Sequence, residues 1–147
     1  MPSIVLSSFL AAQHRELDHV LEAADNACRT PQALSAVVRL QETMEHHLGI
    51  EERFLFPAFE ERAGSGGPLV VMRDEHHAIR DLCQQARAAL GAEDHKGCAR
   101  ILDTLTVLVQ QHHLKEENVL YPMSDHLLLD RADDLVRAMS EEPRPHG

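Results

Sequence analysis

Residues 47–57 read His-Leu-Gly-Ile-Glu-Glu-Arg-Phe-Leu-Phe-Pro, and residues 112–122 read His-His-Leu-Lys-Glu-Glu-Asn-Val-Leu-Tyr-Pro. Both fit the pattern H-x3-E-E-x2-L-[FY]-P. In each, a His and a Glu stand four residues apart, so on a helix they share one face, one turn apart. Each stretch closes on a proline, Pro57 or Pro122, where a kink or a helix end is expected. A second pair of segments repeats in the same order: Gln13-His14-Arg15-Glu16-Leu17 matches Glu75-His76-His77-Ala78-Ile79. The first half of the chain thus reads as a copy of the second. Two such halves packed together place a symmetric site on their common axis.

Helix breakers set the organisation around these stretches. Arg29-Thr30-Pro31 gives a stop, a cap candidate and a proline suited to a first helical position. Gly64-Ser65-Gly66-Gly67 is a turn, Pro68 opens the next segment, and Gly91 suits a helix end ahead of the acidic pair Glu93-Asp94. Four long helices are therefore expected, over about 7–28, 32–62, 68–90 and 94–124, with a short extra helix over about 131–139. All connections are short, which joins antiparallel neighbours. The fold class is all-α: a single domain over 1–147 built as an up-down-up-down four-helix bundle over about 7–125. The tail over about 141–147, with two prolines, reads as disordered.

The apolar stripes then single out residues. Helix two gives Val37, Leu40, Met44, His47, Glu51, Phe54 and Ala58; helix four gives Leu102, Leu105, Val109, His112, Glu116, Val119 and Met123. Helix one is interrupted only at His14, and helix three only at His76. A single unpaired carboxylate in a core costs several kcal/mol (roughly 3 or more). Two carboxylates and four imidazoles there demand compensation, and a pair of metal ions supplies it. Six ligands from four directions are too many for a four-coordinate zinc site. The ligand set read from the stripes is His14, His47, Glu51, His76, His112 and Glu116. The repeat favours His112 over His113 and Glu116 over Glu117. His46, His77 and His113 read as solvated neighbours of ligands, with one of them as an alternative ligand, and His19 as a surface residue or, alternatively, a support behind the ligands. Glu52 and Glu117 read as supports behind the ligands or as surface groups, Phe56 and Tyr121 as packing, and Cys83 as structural. Ferritin-like di-iron bundles need E-x-x-H on two helices; here it occurs once, at Glu16-x-x-His19, off the stripe.

Composition limits the functions. A net charge of -10 argues against nucleic acid and against anionic membranes. No run of 18 apolar residues suggests a membrane span, and the first residues lack a basic leader, so a cytoplasmic location is expected. Cys28, Cys83 and Cys98 form no C-x-x-C motif. The anomaly is eleven histidines in 147 residues, most of them inside periodic segments.

From His14 to about Met123, and above all in the segments ending Phe56-Pro57 and Tyr121-Pro122, the chain resembles the hemerythrin-like family of HHE cation-binding domains. The resemblance implies a four-helix bundle with a non-haem di-iron centre, oxo- or hydroxo-bridged, held by the six residues named above. It also implies a departure. Oxygen-carrying hemerythrins use H-x3-H on the third helix, where this chain has Arg80 four after His76 and Asp81 four after His77. They use H-x4-D on the fourth, where this chain has Glu116 four after His112. One histidine ligand is missing, which opens the centre and points away from oxygen carriage. The expected function is a di-iron protein that binds or reacts with O2, NO or peroxide; the alternative is a non-enzymatic module for iron sensing, storage or delivery. Another divalent pair, such as manganese or zinc, is compatible with the same donors.

Overall fold

In the computed structural model, residues 5–144 are described. Met1–Ile4 and the end of the tail, 145–147 with His146, lie outside the described residues. Among the described residues there is no strand. The helices are α1 (Leu6–Ala27), α2 (Ala33–Ile50), α3 (Phe56–Ala63), α4 (Pro68–Gly91), α5 (His95–Lys115), α6 (Tyr121–Leu127) and the short α7 (Ala132–Ser140). They assemble into four rods, because α2 runs on into α3, and α5 into α6. α1 packs on α2 and α5, and α4 packs on α2 and α5, which closes a ring of antiparallel neighbours. No helix among the described residues is long and apolar enough to cross a membrane.

The joins inside the two long rods are π-helical turns, Glu51–Leu55 and Glu116–Leu120. Each begins at a predicted carboxylate ligand. The Phe56 N–H donates to the Glu51 carbonyl, and the Tyr121 N–H to that of Glu116, five residues back instead of four. Pro57 and Pro122 follow at once and have no N–H to contest the altered ladder. The expected kink or end at each proline is thus a change of register within a continuous rod.

This corrects the stripe beyond the ligands. Val119 and Met123, expected in the core, are 48% and 39% exposed. Leu120, Tyr121 and Ser124 are buried in their place. Likewise Leu55 is fully buried while Phe54 only packs on the edge of the core. One wide turn inserts one residue and shifts the side chains after it towards the next face, although Ala58 stays buried as expected, beside Phe59.

The ends of the rods are set locally. Thr30 Oγ1 donates to the Ala27 carbonyl and accepts from the Gln32 N–H, so the second rod starts just after Pro31. Asp94 caps α5 by accepting from the Gly97 N–H at 2.9 Å. Gly64, at φ 84°, turns the chain out of α3, a conformation that side-chain-bearing residues rarely adopt.

Two apolar clusters fill the bundle. One, around Leu21, Leu40, Ile79, Cys83 and Leu105, occupies one end. The other, around Phe56, Phe59, Met72 and Tyr121, is capped by Leu135, Val136 and Met139 of α7. At roughly 1.5–3 kcal/mol for each fully buried large side chain, these clusters carry the fold. The predicted ligands lie in the polar layer between them. In the tail, Glu142 pairs with Arg53 and Arg144 with Glu16.

Candidate metal centre

All six predicted ligands come together in the middle layer, and none is more than 2% exposed. α1 supplies His14, α4 supplies His76, α2 with its π-turn supplies His47 and Glu51, and α5 with its π-turn supplies His112 and Glu116. Their donor atoms fall into two groups, each within 4.8 Å: His14, His47, His113 and Glu116, and Glu51, His76, His112 and Glu116. Glu116 belongs to both.

The geometry follows the two-fold repeat. His14 Nδ1 donates to Glu117 at 2.6 Å, and His76 Nδ1 to Glu52 at 2.7 Å. His14 Nε2 faces Glu116 at 3.0 Å, and His76 Nε2 faces Glu51 at 3.1 Å. His47 Nδ1 donates to Gln13 at 2.7 Å, and His112 Nδ1 to Glu75 at 2.8 Å. All four Nδ1 atoms are thereby held from outside and all four Nε2 atoms face inward. Holding the outer nitrogen is how metal-binding histidines are oriented. Glu52 and Glu117 therefore stand behind the ligands, and Gln13 and Glu75 share that role. Their signal in the sequence was the paired position just before His14 and His76.

The residues fit a cation pair. His47 Nε2, His112 Nε2 and Glu116 Oε2 are buried without a hydrogen-bond partner. Buried polar atoms left unpaired cost on the order of 1–3 kcal/mol each, and these three point into one layer. The electrostatics of the layer point the same way. Burial alone would lower the His76 pKa, but the Glu51 and Glu52 carboxylates outweigh it and raise it to about 9. The same contest, against Glu116 and Glu117, leaves His14 raised. Burial would raise the Glu116 carboxyl, yet His112, His14 and His47 hold it well below the usual range. The carboxylates of the layer thus favour positive charge beside them, which a bound cation would supply.

Three residues do more than the sequence reading gave them. His113, read as solvated, is 6% exposed and lies flat on the His14 ring, with centroids 3.6 Å apart and planes 7° from parallel. Burial pushes its pKa down to about 2, so it is neutral. A signal was present: its repeat counterpart, Leu48, is a fully buried core residue. Tyr121, read as packing, donates to Glu51 at 2.5 Å, with Glu116 at 3.1 Å and His14 Nε2 at 2.9 Å. Its repeat counterpart Phe56 lacks the hydroxyl, and only packs on His76. Arg80 forks onto Glu45 and Glu52 with contacts of 2.7 to 2.9 Å.

These differences make the two flanks unequal. On the α2/α4 flank, the Arg80 fork ties Glu45 to Glu52 outside His76. The counterpart positions on the α1/α5 flank are Asp18, Gln110 and Glu117. There a cleft of about 400 Å³ opens, and its wall includes His14, His113 and Glu117. The cleft between α2 and α4, about 260 Å³, is lined by Gln41, Met44, Glu45, Arg80, Cys83 and Gln84, none of them a predicted ligand.

Comparison with family models gives a match to the hemerythrin HHE cation binding domain over residues 5–123 and again over 68–144. Residues 68–123 are covered by both matches. No curated protein and no solved structure matches.

Proposed function

The chain belongs to the hemerythrin HHE cation-binding domain family, and from that premise we propose that it holds two iron ions and takes up a small ligand, O2, NO or peroxide, beside His14. His14 and His47 would hold one ion and His76 and His112 the other, with Glu51 and Glu116 as the carboxylates of the layer. Mixed imidazole and carboxylate donors suit iron, and they also admit manganese or zinc. With two of these imidazoles each, the ions would be left open to a further ligand. The observation that carries the small-ligand reading is the open flank: a solvent-reaching cleft has a predicted ligand, His14, in its wall.

When bound, the iron pair supplies Lewis acidity and exchangeable electrons. The chain supplies the rest. Glu117 and Glu52 fix the tilt of His14 and His76 and keep their inner nitrogens aimed at the layer. The Tyr121 phenol keeps its proton, since burial and the neighbouring carboxylates raise its pKa well above the ordinary value. It can therefore donate one hydrogen bond inside an otherwise carboxylate-rich pocket. On the opposite flank the Arg80 fork ties Glu45 to Glu52, and the cleft there is lined by no predicted ligand.

The test is optical. Anaerobic di-ferrous protein exposed separately to O2, NO and hydrogen peroxide should change its spectrum with at least one of them. Iron retained with no change under all three would sink the small-ligand reading and leave an iron-sensing, storage or delivery module.

A further inference from the structure

We infer that His113 is a fifth imidazole donor of the centre, serving the metal position of His14, His47 and Glu116 by turning its ring away from the stack on His14. The inference rests on the two-metal reading above and deepens it: the two positions become unequal.

Four observations carry it. First, a ring nitrogen of His113 lies within 4.8 Å of donor atoms of His14, His47 and Glu116, while the other group has His76 and His112 as its only imidazoles. Second, each of the other four imidazoles has Nδ1 held by a side chain, whereas His113 makes no hydrogen bond to protein among the described residues. Its contacts are ring contacts alone. Neither ring nitrogen is tied to a protein group, so one is free to take an ion. Third, parallel rings cannot aim their lone pairs at one ion, so the stacked pose is not the ligating one. The cleft beside His113 gives the ring room to turn, and no hydrogen bond opposes the turn. Fourth, the residue one turn after His76 is Arg80, which is engaged with Glu45 and Glu52, so α4 offers no second imidazole at that position, and its other one, His77, is exposed.

His113 differs from the four tethered imidazoles in a way that matters. A ligand without a second anchor exchanges readily. A small molecule entering by the cleft would meet His113 first and compete with it for the same coordination position.

The experiment uses Co(II) as the probe, titrated stepwise into metal-free full-length protein and followed by visible d–d absorption. Wild type should take up two ions. His113→Ala should weaken one of the two sites by about tenfold or more, leave the other unchanged, and recover on addition of free imidazole. His113→Leu, which copies the packing of Leu48, should show the same loss without recovery. Both sites unchanged in both variants would overturn the inference while leaving the two-metal reading intact. A loss in His113→Ala that imidazole does not repair would also overturn it, marking His113 as packing. Fewer than two Co(II) ions in wild type would remove the two-metal reading and this inference together.

Discussion

The Tyr121 hydroxyl donates to the Glu51 carboxylate at 2.5 Å across the middle of the bundle. One side chain from the end of the fourth rod thus bonds a carboxylate from the second, and the same oxygen is 3.1 Å from Glu116. The contact exists only because the π-turn Glu116–Leu120 rotates position 121 inward. Tyr121→Phe restores the side chain found at the repeat position, Phe56, so the ring should still pack. Losing a buried bond to a charged group should destabilise the metal-free protein by about 1.5–3 kcal/mol. Denaturant unfolding of chelator-treated protein checks this, and metal uptake should remain at two ions. An unchanged midpoint would mean that the phenol contributes no net bond.

The outer carboxylates give a second prediction. Glu52→Ala and Glu117→Ala each release the Nδ1 of one imidazole, His76 or His14. Each should weaken metal binding by about 10–100-fold without abolishing it. Competition against a chromophoric chelator measures the change. Equal affinity in wild type and both variants would show that the outer bonds do not orient the ligands.

Stability of the metal-free protein should depend on pH with a definite sign. The His76 pKa rises from its ordinary 6.5 to about 9 in the fold, because the Glu51 and Glu52 carboxylates outweigh the effect of burial. That contribution is fully present below pH 6.5 and is lost as pH rises through about 9. Glu52 runs the other way. Burial favours its neutral form, but His76 and Arg80 lower its pKa from 4.5 to about 2. Its contribution is present above pH 4.5 and is lost as pH falls through about 2. Bound metal displaces the His76 proton, so metal affinity should rise with pH over 6.5 to 9. Thermal melts of chelated and loaded protein across pH 6 to 9.5 check the His76 sign and the metal dependence, and melts of chelated protein from pH 5 down to 2 check the Glu52 sign. A metal-free Tm that climbs steadily from pH 6 to 9.5 would contradict the pairing.

His95 and His146 are the controls. His95 donates from Nδ1 to the Cys28 carbonyl at the far end of the bundle. His95→Ala should leave metal content unchanged, and so should His146→Ala in the tail. A drop on either substitution, seen by elemental analysis, would place a ligand outside the layer.

Much of this was legible because the bundle's chemistry interrupts its periodicity. Runs of Leu, Val and Ala made His14, His47, Glu51, His76, His112 and Glu116 conspicuous, and the structure gathers all six. What the stripes missed has one main physical source. A π-turn has no sequence period of its own, since it depends on which carbonyl the tertiary packing leaves free. Val119 and Met123 were therefore assigned to the core that Leu120, Tyr121 and Ser124 occupy. His113 was missed for another reason. In the repeat its counterpart is Leu48, an apolar residue, so the alignment of halves pointed inward while residue chemistry pointed to solvent. Arg80 stands out in the sequence as the place of an absent histidine; its fork onto Glu45 and Glu52 needs two helices and cannot be read from one.

The central claim is that two ions share the middle layer, with Glu116 common to both donor groups. Metal content per chain, measured side by side on wild type, His47→Ala and Glu116→Ala purified from the native host, tests it most directly. Two irons per chain in wild type, and one or none in each variant, is the predicted result. Two metals retained in either variant, or fewer than two in wild type, would contradict it.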